Sequence, residues 1–272
     1  MSYTHLIREH YPQLTKSEKK VADFILSAQE KIIYSTMSDI KKHTNVGDAT
    51  IIRFCQKLGF SGFSDLKIAI AKEDFSHQAT SDTAVNFADL VSKRLADAIL
   101  ATKQLINIDH INQAVDYINQ AHQIYIFGVG SSGNTAVDLE SLFLRAGIQA
   151  KAITDPHFQA QVASLLTEDD LVIAFSLSGK TKDTFDSIAI AKKNHAKIIS
   201  ITNYLLSPIA QQGDVVLQTA IEEFLNGGSL AGKISQLYLC DVLVNGYERK
   251  NNIDTLALKE TVLRSILDKS LD

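Results

Sequence analysis

The chain has 272 residues, 45% of them hydrophobic and 21% charged, and 27 Lys and Arg stand against 31 Asp and Glu for a net charge of −4. This is ordinary globular composition, long enough to bury the core of one large or two ordinary domains. No apolar stretch approaches the roughly 20 residues of a membrane span, the opening MSYTHLIREHYP lacks the apolar core of a signal peptide, and a cytoplasmic protein is expected. Cys55 and Cys240 lie far apart inside apolar helical patterns, so both read as buried thiols, with no C-x-x-C metal pair.

Charge is uneven along the chain. Residues 1–75 carry 11 Lys and Arg against 9 Asp and Glu, whereas the other 197 carry 16 against 22. A slightly basic head on an acidic body hints at a polyanionic partner for the head alone.

The first 75 residues read as helices. Leu6 to Tyr11 makes a short one ending before Pro12. Thr15 then forms a capping box with Glu18, and Val21, Ala22, Phe24, Ile25 and Leu26 give the apolar face of a second helix. The informative stretch is Ser38 to Gly59, SDIKKHTNVGDATIIRFCQKLG. One short helix begins at Ile40, Thr44 to Gly47 makes a tight turn, and Asp48 to Leu58 makes another helix with Ile51, Ile52, Cys55 and Leu58 facing inward. Two short helices joined by such a turn form a helix-turn-helix, whose second helix enters the DNA major groove. Asp48, Ala49, Thr50, Arg53 and Lys57 face out from that helix. Arg53 suits a guanine edge or a phosphate, Thr50 a phosphate or a thymine methyl, and Lys57 a phosphate. Spacing alone fits a small helical bundle with a solvated face equally well.

Phe60 to Lys72 adds a turn and another amphipathic helix, the polar stretch Glu73 to Asp82 reads as a linker, and Ala84 to Leu105 resumes a helical pattern. From Ile108 helix and strand alternate. Helices are expected at Ile111–Ala121, Thr135–Ala146, His157–Leu166, Lys182–Lys193, Leu205–Gln211 and Leu230–Glu248, and strands at Ile124–Phe127, Ala150–Ile153, Leu171–Phe175, Lys197–Ile201 and Asp214–Leu217. Five strands each followed by a helix imply a parallel sheet covered on both faces, with ligands at the carboxyl ends of its strands.

Two loops fall at such ends. Leu171 to Thr181, LVIAFSLSGKT, is a continuous apolar run followed by Ser176, Ser178, Gly179 and Thr181 at the start of a helix; Gly128 to Gly133, GVGSSG, follows the first strand. The first N–H groups of a helix have no internal partner and carry partial positive charge, so a hydroxyl-rich turn there suits an anion such as a phosphate monoester. GVGSSG also satisfies the dinucleotide fingerprint, but the acidic residue at the right distance, Asp155, precedes Pro156 and reads as a helix cap. SLSGKT ends like a nucleotide-binding P-loop, yet the required first glycine is here Ala174. No cofactor is therefore expected.

In combination, the strand ending in G-x-G-S-S and the later one ending in S-x-S-G-x-T resemble the sugar isomerase (SIS) domain, a phosphosugar-binding module. DATIIRFCQKLGFSGFSDLK, Asp48 to Lys67, resembles the helix-turn-helix domain of the RpiR family of transcriptional regulators. The resemblance covers essentially the whole chain. It implies two domains, an all-α helix-turn-helix head over 1–76 and an α/β SIS domain with a five-stranded parallel sheet flanked by helices over 107–250, joined by a linker and bridging helix (77–106) and followed by a C-terminal helix (251–272). It further implies a regulator of carbohydrate metabolism, a dimer or tetramer, whose affinity for operator DNA is controlled by a sugar phosphate, for example an amino-sugar 6-phosphate. Gly130, Ser131, Ser132, Ser176, Ser178 and Thr181 match the phosphate-binding positions; His157, Glu222 or Glu223, and Lys233 match positions near the sugar. His157 also reads simply as a polar residue on a helix surface. The residue opening the recognition helix, commonly Ser in the family, is here Gly47 followed by Asp48, which places an acidic group nearest the DNA. Aldose–ketose isomerisation is the competing activity, with Glu222, Glu223 or His157 as base.

Overall fold

The computed structural model describes residues 2–28, 32–33, 35–80, 86–220 and 230–264. The chain divides into two units, Met1–Phe87 and one beginning at Ala88.

The first unit is helical: α1 (Tyr3–His10), α2 (Lys16–Ala28), α3 (Met37–Thr44), α4 (Asp48–Lys57) and α5 (Phe63–Thr80), with a 3₁₀ turn at Tyr11–Gln13 where Pro12 ends α1. Its core joins the apolar stripes of the helices, with Ile7, Val21, Ile25, Ile40, Ile51, Phe54, Cys55 and Leu66 among its members. Phe54 takes the inward place expected of Ile52, which is 38% exposed. α3 opens on a capping box between Thr36 and Asp39 and ends at Asn45 in the left-handed conformation, with φ 54°. The expected linker is a correction in part. α5 runs through it to Thr80, because nothing from Phe63 to Thr80 is Gly or Pro and polarity alone does not stop a helix.

The second unit alternates as expected: α6 (Phe87–Gln104, its first residue in the first unit), α7 (Ile108–Gln120), β1 (Gln123–Phe127), α8 (Gly130–Arg145), β2 (Lys151–Ile153), α9 (Pro156–Leu165), β3 (Asp170–Phe175), α10 (Lys182–Lys193), β4 (Lys197–Thr202), α11 (Pro208–Gln212), β5 (Val215–Gln218), α12 (Leu230–Lys250) and α13 (Thr255–Arg264). The five strands form one parallel sheet in the order β2-β1-β3-β4-β5. Every residue of β3 is buried, which explains its unbroken apolar run. Ile173 and Phe175 face a core shared with α7, α8 and α12, and Val172 and Ala174 face one shared with α9, α10 and α11. Both cysteines are buried and free, Cys55 in the head and Cys240 on α12. No helix among the described residues is long and apolar enough to cross a membrane.

Candidate functional site

β1 and β3 are neighbours, in register from Gln123 opposite Asp170 to Phe127 opposite Ala174. The chain leaves β1 toward β2 on one side, and leaves β3 toward β4 and β5 on the other. Strand order therefore reverses between β1 and β3, and the crevice beyond their carboxyl ends is where open α/β sheets hold ligands. Both hydroxyl loops lie there.

After β1 the chain turns directly into α8, five residues earlier than the sequence pattern suggests. Gly128 makes this possible: a Cβ there would stand 2.6 Å from the Ser132 carbonyl oxygen. Gly130 has φ +57°. Ser131 and Ser132 consequently lie in the first turn of α8, Ser131 exposed and Ser132 half-buried.

After β3, Ser176 and Gly179 form a tight turn in which the Gly179 N–H donates to the Ser176 carbonyl at 3.0 Å. Ser176 is only 1% exposed, and its Oγ lies 3.1 Å from Thr181 Oγ1. Its hydroxyl thus steadies that of Thr181. Ser178 is exposed and accepts from the Lys180 N–H at 3.2 Å. Gly179, at φ +64°, packs so closely on α11 that a Cβ would sit 2.0 Å from Ser207 Oγ.

The four helices that follow β1 to β4 differ at their N-termini. Asp155 caps α9, its carboxylate accepting from the N–H groups of His157 and Phe158 at 2.9 and 3.0 Å, as its sequence context suggests. Ser207 caps α11, accepting from the Ala210 N–H at 3.3 Å. At α8 and α10 the N-cap residues, Val129 and Thr181, make no side-chain cap bond. The two uncapped helices are those on either side of the crevice. Unsatisfied N–H donors and the positive ends of two helix dipoles, with Ser131, Ser132, Ser178 and Thr181 beside them, make a setting for a phosphate-sized anion.

The other expected ligand contacts are more scattered. His157 is exposed on the first turn of α9. Lys233, on α12, reaches across to α8 and pairs with Asp138 at 2.9 Å. Glu222 and Glu223 lie outside the described residues. Two glutamines escaped the sequence reading. Gln159 of α9 is buried and its Nε2 donates to the carbonyls of Gly128 and Ile153 at 3.0 and 2.7 Å, tying together the ends of β1 and β2. Gln236 of α12 is buried between Ser132 and Thr135. Each lies in phase with its helix's apolar stripe, a signal that could have flagged it.

In the head, Asp48, Ala49 and Arg53 are exposed on α4 and Thr50 is half-buried. Gly47 supplies no side-chain cap. Asp48 pairs with Lys41 of α3 at 3.1 Å, which offsets the negative charge at the opening of the helix. Arg53 lies back along α4, its Nε donating to the Ala49 carbonyl at 3.2 Å. Lys57 reaches the Glu18 carboxylate at 2.7 Å rather than extending outward. Glu18 also holds the expected capping box, accepting from the Thr15 N–H at 2.8 Å while its own N–H donates to Thr15 Oγ1 at 3.3 Å. Burial pushes the Glu18 carboxyl up, but the bonds from Lys57 and Thr15 outweigh it and hold the group below its ordinary value.

Comparison with known proteins adds to this geometry. Residues 1–77 match the helix-turn-helix domain of the rpiR family, and residues 117–246 match the SIS domain. An uncharacterized HTH-type transcriptional regulator of Haemophilus influenzae is 36% identical over 86% of this chain and 85% of its own length. The chain belongs to the rpiR family of transcriptional regulators. The fold of this rpiR-family regulator is shared, with a TM-score of 0.80, by the Vibrio vulnificus NanR protein, solved in complex with ManNAc-6P; that structure is 28% identical and the match covers 98% of this chain and 99% of that one. The sugar isomerase domain of an RpiR transcription factor from Sphaerobacter thermophilus, 24% identical, covers 65% of this chain and 98% of its own with a TM-score of 0.58, and shares the fold of the sheet-bearing unit.

Proposed function

We propose that this rpiR-family regulator governs carbohydrate metabolism by binding operator DNA through α3 and α4, and that a sugar phosphate held at the β1–α8 and β3–α10 loops sets its operator affinity. The observation that carries the reading is the pair of uncapped helix N-termini, rich in hydroxyls, at the point where strand order reverses. Ser131, Ser132, Ser178 and Thr181 donate to the phosphate with backbone N–H groups from Gly130 onward, and Ser176 orients Thr181. His157 and Lys233, with Glu222 or Glu223, serve the sugar. An amino-sugar 6-phosphate is the favoured effector, supported by the ManNAc-6P of the NanR complex.

Ala49, Thr50 and Arg53 read the DNA, with Asp48 and Lys57 nearby and held in ion pairs. A cytoplasmic dimer or tetramer is the working unit, since paired heads must match half-sites about one helical turn apart or a multiple of it. The ligand acts by linkage and not by turnover, altering the spacing of those heads. Membership of a regulator family favours this over isomerisation of the bound sugar.

The test is a thermal-shift panel of hexose, pentose and amino-sugar phosphates, each beside its unphosphorylated sugar, followed by operator titration at fixed salt. A ligand at 100 times its Kd adds about 2.7 kcal/mol of stability, and operator affinity should change with it. Equal stabilisation by the parent sugar would remove the phosphate cradle. Unchanged operator affinity would remove the coupling, and steady isomerisation of the bound sugar would make the chain an enzyme.

A further inference from the structure

A serine hydroxyl has one proton and two lone pairs, so what it can give a ligand depends on what else it holds. Ser132 accepts from Gln236 Nε2 at 3.3 Å. Gln236 is 2% exposed, and the other end of its amide, Oε1, lies 3.2 Å from Thr135 Oγ1, whose single proton it shares with the Ser131 carbonyl at 3.3 Å. Both ends of one buried amide are thus held by hydroxyls three residues apart on α8. A second contact fixes the register: Lys233, three residues before Gln236 on α12, pairs with Asp138, three residues after Thr135 on α8. The two helices run antiparallel along this seam, with rungs one turn apart.

We propose that Gln236 is a positioning residue that fixes Ser132 as a hydrogen-bond donor to the effector phosphate; this rests on the reading of Ser132 as a phosphate contact. An amide N–H₂ has no lone pair to offer, so Ser132 cannot spend its proton on Gln236. A helical serine ordinarily turns that proton back to the carbonyl four residues earlier. Here Ser132 makes no such bond among the described residues, and the Gly128 carbonyl instead accepts from Gln159 Nε2 at 3.0 Å. The remaining direction is outward, toward the uncapped end of α8. The amide turned end over end would present Oε1 to Ser132, draw its proton inward and set its lone pairs against the anion. Gln236 therefore selects for anions without touching one.

The experiment measures the affinity of the full-length protein for inorganic phosphate, which probes the cradle without the sugar ring, in a double-mutant cycle. Gln236→Met keeps the length of the side chain and removes the donor. It should weaken phosphate binding about three- to tenfold, the value of one neutral hydrogen bond. In the Ser132→Ala background the same substitution should add no further loss, because the two residues act as one unit. Gln236→Leu likewise removes the donor and should lose about as much as Gln236→Met. If the Met variant does not fold, the Leu variant completes the cycle, with a smaller loss in the Ser132→Ala background than in the parent. Losses that add independently, or parental affinity in either Gln236 variant, would overturn the proposal and leave the phosphate site standing. A Ser132→Ala variant that binds phosphate like the parent, or a parent that takes none, would overturn the site reading itself.

Discussion

Two glycines of the candidate site allow backbone strain and packing to be separated by experiment. Gly130 and Gly179 both have positive φ, +57° and +64°, but a Cβ at Gly130 would meet nothing within 4 Å, whereas one at Gly179 would lie 2.0 Å from Ser207 Oγ, 2.4 Å from Ser207 Cβ and 2.7 Å from Thr202 Oγ1. Gly130→Ala should therefore cost only the left-handed penalty of about 1–2 kcal/mol. Gly179→Ala carries the same penalty and a clash that rotation of Ser207 cannot relieve, because its Cβ is itself in the way. The backbone must move, which disturbs the Ser207 cap of α11 and the bond from the Ile209 N–H to the Gly179 carbonyl, 3.1 Å long. Overpacking adds about 1–3 kcal/mol, the cap about 1 and the hydrogen bond about 1. The gain from stiffening the unfolded chain is common to both variants and cancels in their difference. Gly179→Ala should thus lose at least about 2 kcal/mol more than Gly130→Ala. Urea unfolding of the sheet-bearing unit, followed by circular dichroism at matched m values, reads this directly. Equal midpoints for the two variants would refute the packing argument.

Arg53→Ala should weaken operator binding by about 1–3 kcal/mol if the side chain reads a base and leave the phosphosugar-induced thermal shift unchanged; equal DNA affinity for variant and parent removes Arg53 from the reading set. Because the folded Glu18 carboxyl sits below its ordinary value, its stabilisation is complete above the normal carboxylate range and disappears as pH falls through the lowered value. Glu18→Gln keeps a cap acceptor but loses the Lys57 ion pair, so its stability should fall less steeply with acid than the parent's, and parallel curves would discard the ion pair as the cause. Burial pushes the Cys55 thiol up to about 12 and raises Cys240 as well, so both should resist a maleimide in the native protein and react quickly in urea. Rapid labelling of either in the folded chain would contradict its burial.

The β3–α10 segment was legible in the sequence because two strong signals meet there: a run of apolar residues buried on both faces, and an abrupt change to helical spacing at Lys182. The start of α8 was not. Gly130, Ser131, Ser132 and Gly133 are poor helix formers, and it is the packing of Ala136, Leu139 and Phe143 against the sheet that draws the first turn into shape. The end of α5 is hidden for the opposite reason, since a polar composition resembles a linker until breakers are counted. Glu18, Gln159 and Gln236 show a further limit. Each is a polar residue in phase with a buried stripe, beside Val21 and Ala22, Ala163, or Leu239 and Cys240. Hydropathy marks such a position as an interruption of the core, when physically it is a buried connection to another element. Lys57 is the counterpart: its charge suggests a partner outside the protein, and Glu18, 39 positions away in the chain, supplies one within.

The contrast among the four helix starts also bears on folding. α9 and α11 bring their own terminators, Asp155 and Ser207, and are complete when the chain has folded. α8 and α10 are finished by no residue of their own. On the proposed reading, an anion settling between them performs the task that a carboxylate or hydroxyl performs elsewhere on the same edge of the sheet, which makes the effector a removable piece of secondary structure that the gene does not encode. Its departure unfinishes two helices at once, and the first turns of α8 and α10 should exchange their amide hydrogens faster in the empty protein than in the loaded one, while those of α9 and α11 stay unchanged.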